Sequence, residues 1–128
     1  MNRIFAYKGS QLAVEFAIRS NGESPGHQFY KGLKQIDQAK LLKLFEIIGD
    51  QGQIRNREKF KPIEGTKLFE FKSFQIRMPC FRIEHSWVVT HGLIKKTQKI
   101  PPADLTRAEE IKAEHERIVT KLKGVQKV

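Results

Sequence analysis

Residues 68–102 read LFEFKSFQIRMPCFRIEHSWVVTHGLIKKTQKIPP, and this stretch decides the fold. Its β-branched and aromatic residues fall into three runs, roughly 67–72, 75–84 and 87–94. Ser73-Phe74 and Glu84-His85-Ser86 are short enough to be hairpin connections. Alternation puts Gln75, Arg77, Pro79 and Phe81 on one face of the second run, opposite Ile76, Met78 and Cys80. Leu68, Glu70 and Lys72 share a face of the first run. The aliphatic face is expected to pack on helices. The other face is expected to stay partly open and carry Arg77 beside Glu70 and Lys72, with Phe81 nearby. Pro79 donates no ladder hydrogen bond, so a bulge or an unpaired position is expected there. Lys95-Lys96-Thr97-Gln98-Lys99 leaves the sheet's end as a basic segment, and Pro101-Pro102 stops it.

Helical signals lie on both sides of this meander. Ser24-Pro25 reads as an N-cap followed by a first-turn proline. Phe29, Leu33 and Ile36 then recur at helical spacing. Asp37 is placed to cap a second helix whose stripe is Leu41, Leu44, Phe45 and Ile48, ended by Gly49 and Gly52. Residues 103–123 carry a stripe of Leu105, Ala108, Ile111, His115, Ile118 and Leu122. Residues 12–18 read as extended. Residues 3–7 are either another strand or part of an N-terminal extension over 1–11. Residues 53–66 read as a basic, irregular link. The expected fold is α+β: one domain over 1–128, with a twisted, mainly antiparallel sheet, an N-terminal helical hairpin and a C-terminal helix.

The chain has 128 residues and a formal net charge of +10. Residues 53–99 hold eleven Lys/Arg against four carboxylates, so most of the excess charge sits in about a third of the chain. That asymmetry points to a polyanion, nucleic acid first. A single cysteine, Cys80, cannot form an internal disulfide, which suits a reducing, cytoplasmic compartment. It reads as a small core residue. No apolar run approaches membrane-spanning length, and no Gly-rich phosphate loop is present. His27, His85, His91 and His115 are too scattered to form a metal cluster with one another or with Cys80. His91 reads as a satisfied structural histidine. No metal and no cofactor is expected.

Guanidinium clamps phosphate oxygens bidentately, and a lysine in a crowded cationic site can have its pKa lowered enough to exchange protons. A face carrying Arg77, Lys72, Lys95 and Lys96 could therefore bind an RNA backbone and stabilise a pentavalent phosphate without a metal. Glu70 would orient a cation or act as base. Lys59, Lys61, Lys67, Arg82 and Lys99 are candidate backbone-binding residues.

The ordered features Val14-Glu15-Phe16, Ser24-Pro25, Leu68-Phe69-Glu70-Phe71-Lys72, Ile76-Arg77 and His91-Gly92-Leu93-Ile94-Lys95-Lys96-Thr97-Gln98-Lys99-Ile100-Pro101 resemble the phage-derived, HigB-type branch of the RelE toxin superfamily. The resemblance covers roughly residues 12–115. It implies a RelE-like domain and a type II toxin that cuts mRNA, usually on the ribosome. It also implies a cognate helix-turn-helix antitoxin as partner. By this resemblance the catalytic positions are Arg77, Lys72, Lys95 and Lys96, with Lys72 standing where the family usually has arginine. The rival reading is a non-catalytic RNA- or ribosome-binding protein that keeps the toxin fold. A DNA-binding accessory protein is disfavoured, because the basic residues do not line one helical face.

Overall fold

The structure is a computed structural model and describes residues 3–95 and 99–126, with side chains through Leu122. Strands β1 (Ile4–Lys8) and β2 (Ala13–Phe16) precede helices α1 (Pro25–Lys31) and α2 (Gln35–Gln51). Strands β3 (Phe60–Pro62), β4 (Phe69–Ser73), β5 (Ile76–Ile83), β6 (Ser86–Val89) and β7 (Leu93–Ile94) follow, and α3 (Pro102–Gln126) comes last. The sheet runs β1-β2-β6-β5-β4-β3, with β7 joined to β5. Its pairs are antiparallel except β2–β6, which is parallel. This is the mixed α+β, mostly antiparallel open sheet with a C-terminal helix that the sequence implies. Among the described residues no helix is long and apolar enough to cross a membrane.

Local signals fix most elements, with corrections. Ser24 does precede α1 and Pro25 is its first residue, but the Ser24 hydroxyl donates to the Ala17 carbonyl at 2.8 Å instead of capping. The helix start is thereby tied to the end of β2. Lys34, not Asp37, is the residue before α2, and Asp37 lies in its first turn, where a carboxylate suits the helix dipole. Gly52 ends α2 in the left-handed region, whereas Gly49 lies inside the helix. There the Gly49 carbonyl accepts from the Gln11 and Leu12 amides, both at 2.9 Å. Residues 4–8 are thus an integral strand beside β2, not an extension. The link over 53–66 contains β3, a three-residue edge strand whose Phe60 is buried between Lys59 and Lys61. Flanking charge and Pro62 hid it from a reading by alternation.

Each face of the sheet has its own core. Leu41, Phe45 and Ile48 of α2 pack on Val14, Phe16, Phe71, Met78, Cys80 and Val89. On the opposite face Ile100, Ala108 and Ile111 pack on Ala17, Leu68, Phe81 and Val88. The stripe of α3 continues through His115 to Val119, both buried, so Val119 takes the place expected of Ile118.

Phe74-Gln75 and Glu84-His85 form the hairpin turns, one residue further on than expected for the first. Phe74 and Glu84 open them at φ 55° and 51°. Side chains other than glycine, asparagine or aspartate are rare there, and the conformation costs roughly 1–2 kcal/mol.

Pro79 sits in the central strand. Its carbonyl accepts from the Thr90 amide at 2.9 Å, so its missing N–H faces the β6 side. On that side β6 stops at Val89, opposite Cys80, and β7 resumes at Leu93, opposite Arg77. The expected unpaired position is realised as a break in the partner strand.

A Cβ placed on Gly9 would lie 2.1 Å from the Gly49 carbonyl carbon, a clash of backbone with backbone that no rotamer change relieves. Gly22, at φ 88°, has nothing within 4 Å. Gly9→Ala should therefore cost about 3 kcal/mol in urea denaturation. Gly22→Ala, which meets only backbone strain, should cost about 1 kcal/mol.

Candidate functional site

Helix α3 covers only part of its face of the sheet. Phe81 lies beneath it, 1% exposed, with its ring centroid 6.0 Å from that of His115. The expectation that Phe81 borders an open cleft is therefore corrected: an aromatic at that position completes the core under α3. Two residues earlier along the same face the chain meets Pro79, and two earlier again Arg77, whose side chain is 13% exposed.

The register then assembles a cluster. Lys61 pairs with Glu70, Glu70 with Pro79, and Lys72 with Arg77. Arg77 in turn pairs with Leu93, and the Lys95 amide donates to the Gln75 carbonyl at 2.9 Å. Alternation therefore puts Lys61, Glu70, Lys72, Arg77 and Lys95 on one face of four neighbouring strand segments. Glu70 is 3% exposed and Lys95 6%. Glu70 Oε1 is 3.4 Å from Arg77 Nε, and neither atom makes a hydrogen bond among the described residues. Arg77 Nη1 donates to the Phe74 carbonyl and, at 3.0 Å, to that of Ile76. The guanidinium is thus braced against its own hairpin turn on one side and held by a buried carboxylate on the other.

Such crowding shifts protonation. Burial holds the Lys72 ammonium below the ordinary lysine range, and Lys61 and Arg77 push it the same way against Glu70 and Glu58. Burial likewise lowers Lys95; Glu70 opposes the shift, while Arg77, Lys61 and Lys72 add to it. Beside the cluster opens a cleft of about 410 Å³, whose lining includes Arg57, Lys61, Glu64, Glu70 and Lys99. A cleft with this lining can receive an anionic group and the atoms on either side of it.

Of the residues singled out in the sequence, Glu70, Lys72, Arg77, Lys95, Lys61 and Lys99 meet at this cluster and cleft. Lys96 lies outside the described residues. Lys59 lines a different groove beside α2. Lys67 is exposed in the turn between β3 and β4. Arg82 is at the far end of β5, where Nε donates to the Glu84 carbonyl at 2.9 Å and the guanidinium lies over Trp87. Arg57 lines the cleft, although in the sequence it counts only toward the charge; a loop residue has no periodicity by which to assign a face.

His91 occupies the strand break. It is 1% exposed, with Nδ1 3.1 Å from Thr90 Oγ1 and Nε2 3.1 Å from Asp104 Oδ1. Burial lowers its pKa more than Asp104 raises it. It ties the break to the first turn of α3, which fits a structural histidine.

Residues 28–113, about two-thirds of the chain, match the family model described as phage derived protein Gp49-like (DUF891). The matched span contains the whole cluster and leaves β1 and β2 outside it. No curated protein shows significant similarity to the chain.

The charge arrangement carries a stability signature. Lys72 directly opposes Arg77 across the ladder, where like charges repel, so Lys72→Gln should raise stability by about 0.5–1 kcal/mol. Glu70→Gln leaves Arg77 without its buried counter-charge and should lower stability by about 2 kcal/mol, less than for a fully buried pair because Arg77 keeps some solvent contact. Urea denaturation of the two variants should move in opposite directions.

Proposed function

The chain belongs to the Gp49-like family of phage-derived proteins, and from that premise we propose that it is the toxin of a type II toxin–antitoxin pair: a metal-independent endoribonuclease that cuts ribosome-bound mRNA in the cytoplasm. The observation that carries this reading is the grouping of Lys61, Lys72, Arg77 and Lys95 around Glu70 on one sheet face, beside a cleft of about 410 Å³. Its partner would be a helix-turn-helix antitoxin.

In this reading the ribose 2′-OH gives its proton to a neutral lysine of the cluster, its oxygen attacks the adjacent phosphorus, and the bond to the 5′-oxygen breaks as a lysine ammonium protonates that leaving oxygen. Arg77 holds the non-bridging oxygens, with Glu70 orienting the guanidinium from Nε. Lys72 and Lys95 stabilise the added negative charge, and their lowered pKa values let them exchange protons more readily than ordinary lysines. Lys61, Lys99 and Arg57 bind flanking phosphates. Positioning and preorganised charge supply most of the rate.

Single-turnover cleavage of mRNA on programmed ribosomes tests this reading. Arg77→Ala should lose roughly 100-fold or more of the rate at saturation, as expected for removing one preorganised donor. Arg77→Lys should recover little, because an ammonium cannot keep the Glu70 and hairpin-carbonyl contacts and still reach the phosphate as Nη2 does. Binding by the wild-type protein without any cut would assign the chain to the non-catalytic, RNA- or ribosome-binding class instead.

The pH profile gives a second check. A lysine whose pKa is lowered is charged below that pKa and becomes neutral at a pH where ordinary lysines, near 10.5, still carry charge. RNA affinity should therefore fall as pH rises, ahead of the titration of ordinary lysines. Lys72→Arg should move the fall to higher pH, since guanidinium remains charged throughout. A profile unchanged by that substitution would remove Lys72 from the binding group.

A further inference from the structure

A groove of about 420 Å³ separates α2 from the turn of the β4–β5 hairpin. Leu44, Ile47, Ile54 and Phe74 give it apolar walls, and Lys40, Lys43 and Lys59 bring ammonium groups to it. Phe74 is 71% exposed and sits at the left-handed turn position that glycine or asparagine would fill without strain. Ile36, one helical turn before Lys40, is 61% exposed. Neither large side chain is explained by the core, and Phe74 opposes both turn geometry and hydration.

We propose that this groove docks an acidic, amphipathic helix of a partner protein. Charge complementarity defines the occupant: an apolar floor bordered by three ammonium groups matches a helix with large apolar anchors three or four residues apart and carboxylates beside them. Ile36, Lys40, Leu44 and Ile47 fall on one face of α2 over about three turns, roughly 16 Å, enough for two or three anchors set among the lysines. The walls favour protein over nucleobases. Three of the four apolar residues are aliphatic, and Lys40 and Lys59 already bring their Nζ atoms to 4.1 and 5.8 Å from the centroid of the Phe74 ring, where they compete with a stacking base. The groove is separate from the cationic cleft, and the proposal holds whether or not that cleft cuts RNA. The two share one element, because the Phe74 carbonyl accepts from Arg77.

The test is selection of a yeast-displayed library of random 16-residue peptides against the full chain. Each winner is then titrated against Phe74→Asn, which keeps the turn conformation accessible, and against the double variant Lys40→Glu, Lys43→Glu. Circular dichroism confirms that both variants fold. Winners should be rich in Asp and Glu, carry apolar residues at helical spacing, and lose at least tenfold in affinity for each variant. Winners lacking acidic residues, or binding all three proteins equally, would overturn the proposal. An oligoribonucleotide whose affinity falls with the same substitutions, when no peptide's does, would overturn it in favour of a nucleic-acid surface.

Discussion

A missing hydrogen-bond donor in the central strand organises this molecule. Pro79 has no N–H to offer on the side where β6 would continue, so β6 leaves β5 at Val89 and the chain returns as β7 only at Leu93. A proline in mid-sheet is tolerated where the ladder can be interrupted, and here the interruption has structural uses. Thr90 satisfies the Pro79 carbonyl, His91 reaches Asp104 at the start of α3, and Lys95 arrives beside Gln75. The same break therefore anchors α3 on this face of the sheet and delivers Lys95 to the cationic cluster.

The cationic cluster combines burial with like charge. Lys72 and Arg77 oppose each other directly, and Glu70, almost wholly buried, faces Arg77 at 3.4 Å. A core of stability alone would not choose this arrangement, because burying charge is costly unless it is paired. Strain of this kind is the usual companion of a binding or catalytic surface.

Stability comes from elsewhere, notably from the polar links that fasten α3 to the start of the chain. Burial alone would raise the pKa of Glu15, yet His115, Arg3 and Ser86 outweigh that and hold it at about 2. The Ile18 amide donates to His115 Nδ1 at 3.0 Å, which fixes the ring with Nε2 toward Glu15. Nearby, Arg19 grips Glu114 in a two-pronged pair, and that carboxylate too is held at about 2. Helix α3 can lie across the sheet only where these partners place it, so they also set where its cover ends.

The sequence by itself determined the meander, the helical stripes, the concentration of positive charge and the candidates Glu70, Lys72, Arg77 and Lys95, because alternation and helical periodicity are local properties of the chain. It also marked Pro79 as a position that cannot pair normally. It could not say that Phe81, on the same face as Arg77, is buried, because that depends on how far α3 reaches across the sheet. It missed β3, whose three residues are too few to show a period, and it left β1 undecided, because an edge strand is defined by its partner. The separation of Lys59 from Lys61 and the entry of Arg57 into the cleft were likewise settled by tertiary structure: Arg57 and Lys59 lie in the turn before β3, where strand alternation does not apply and a residue's position is set by the elements the turn joins.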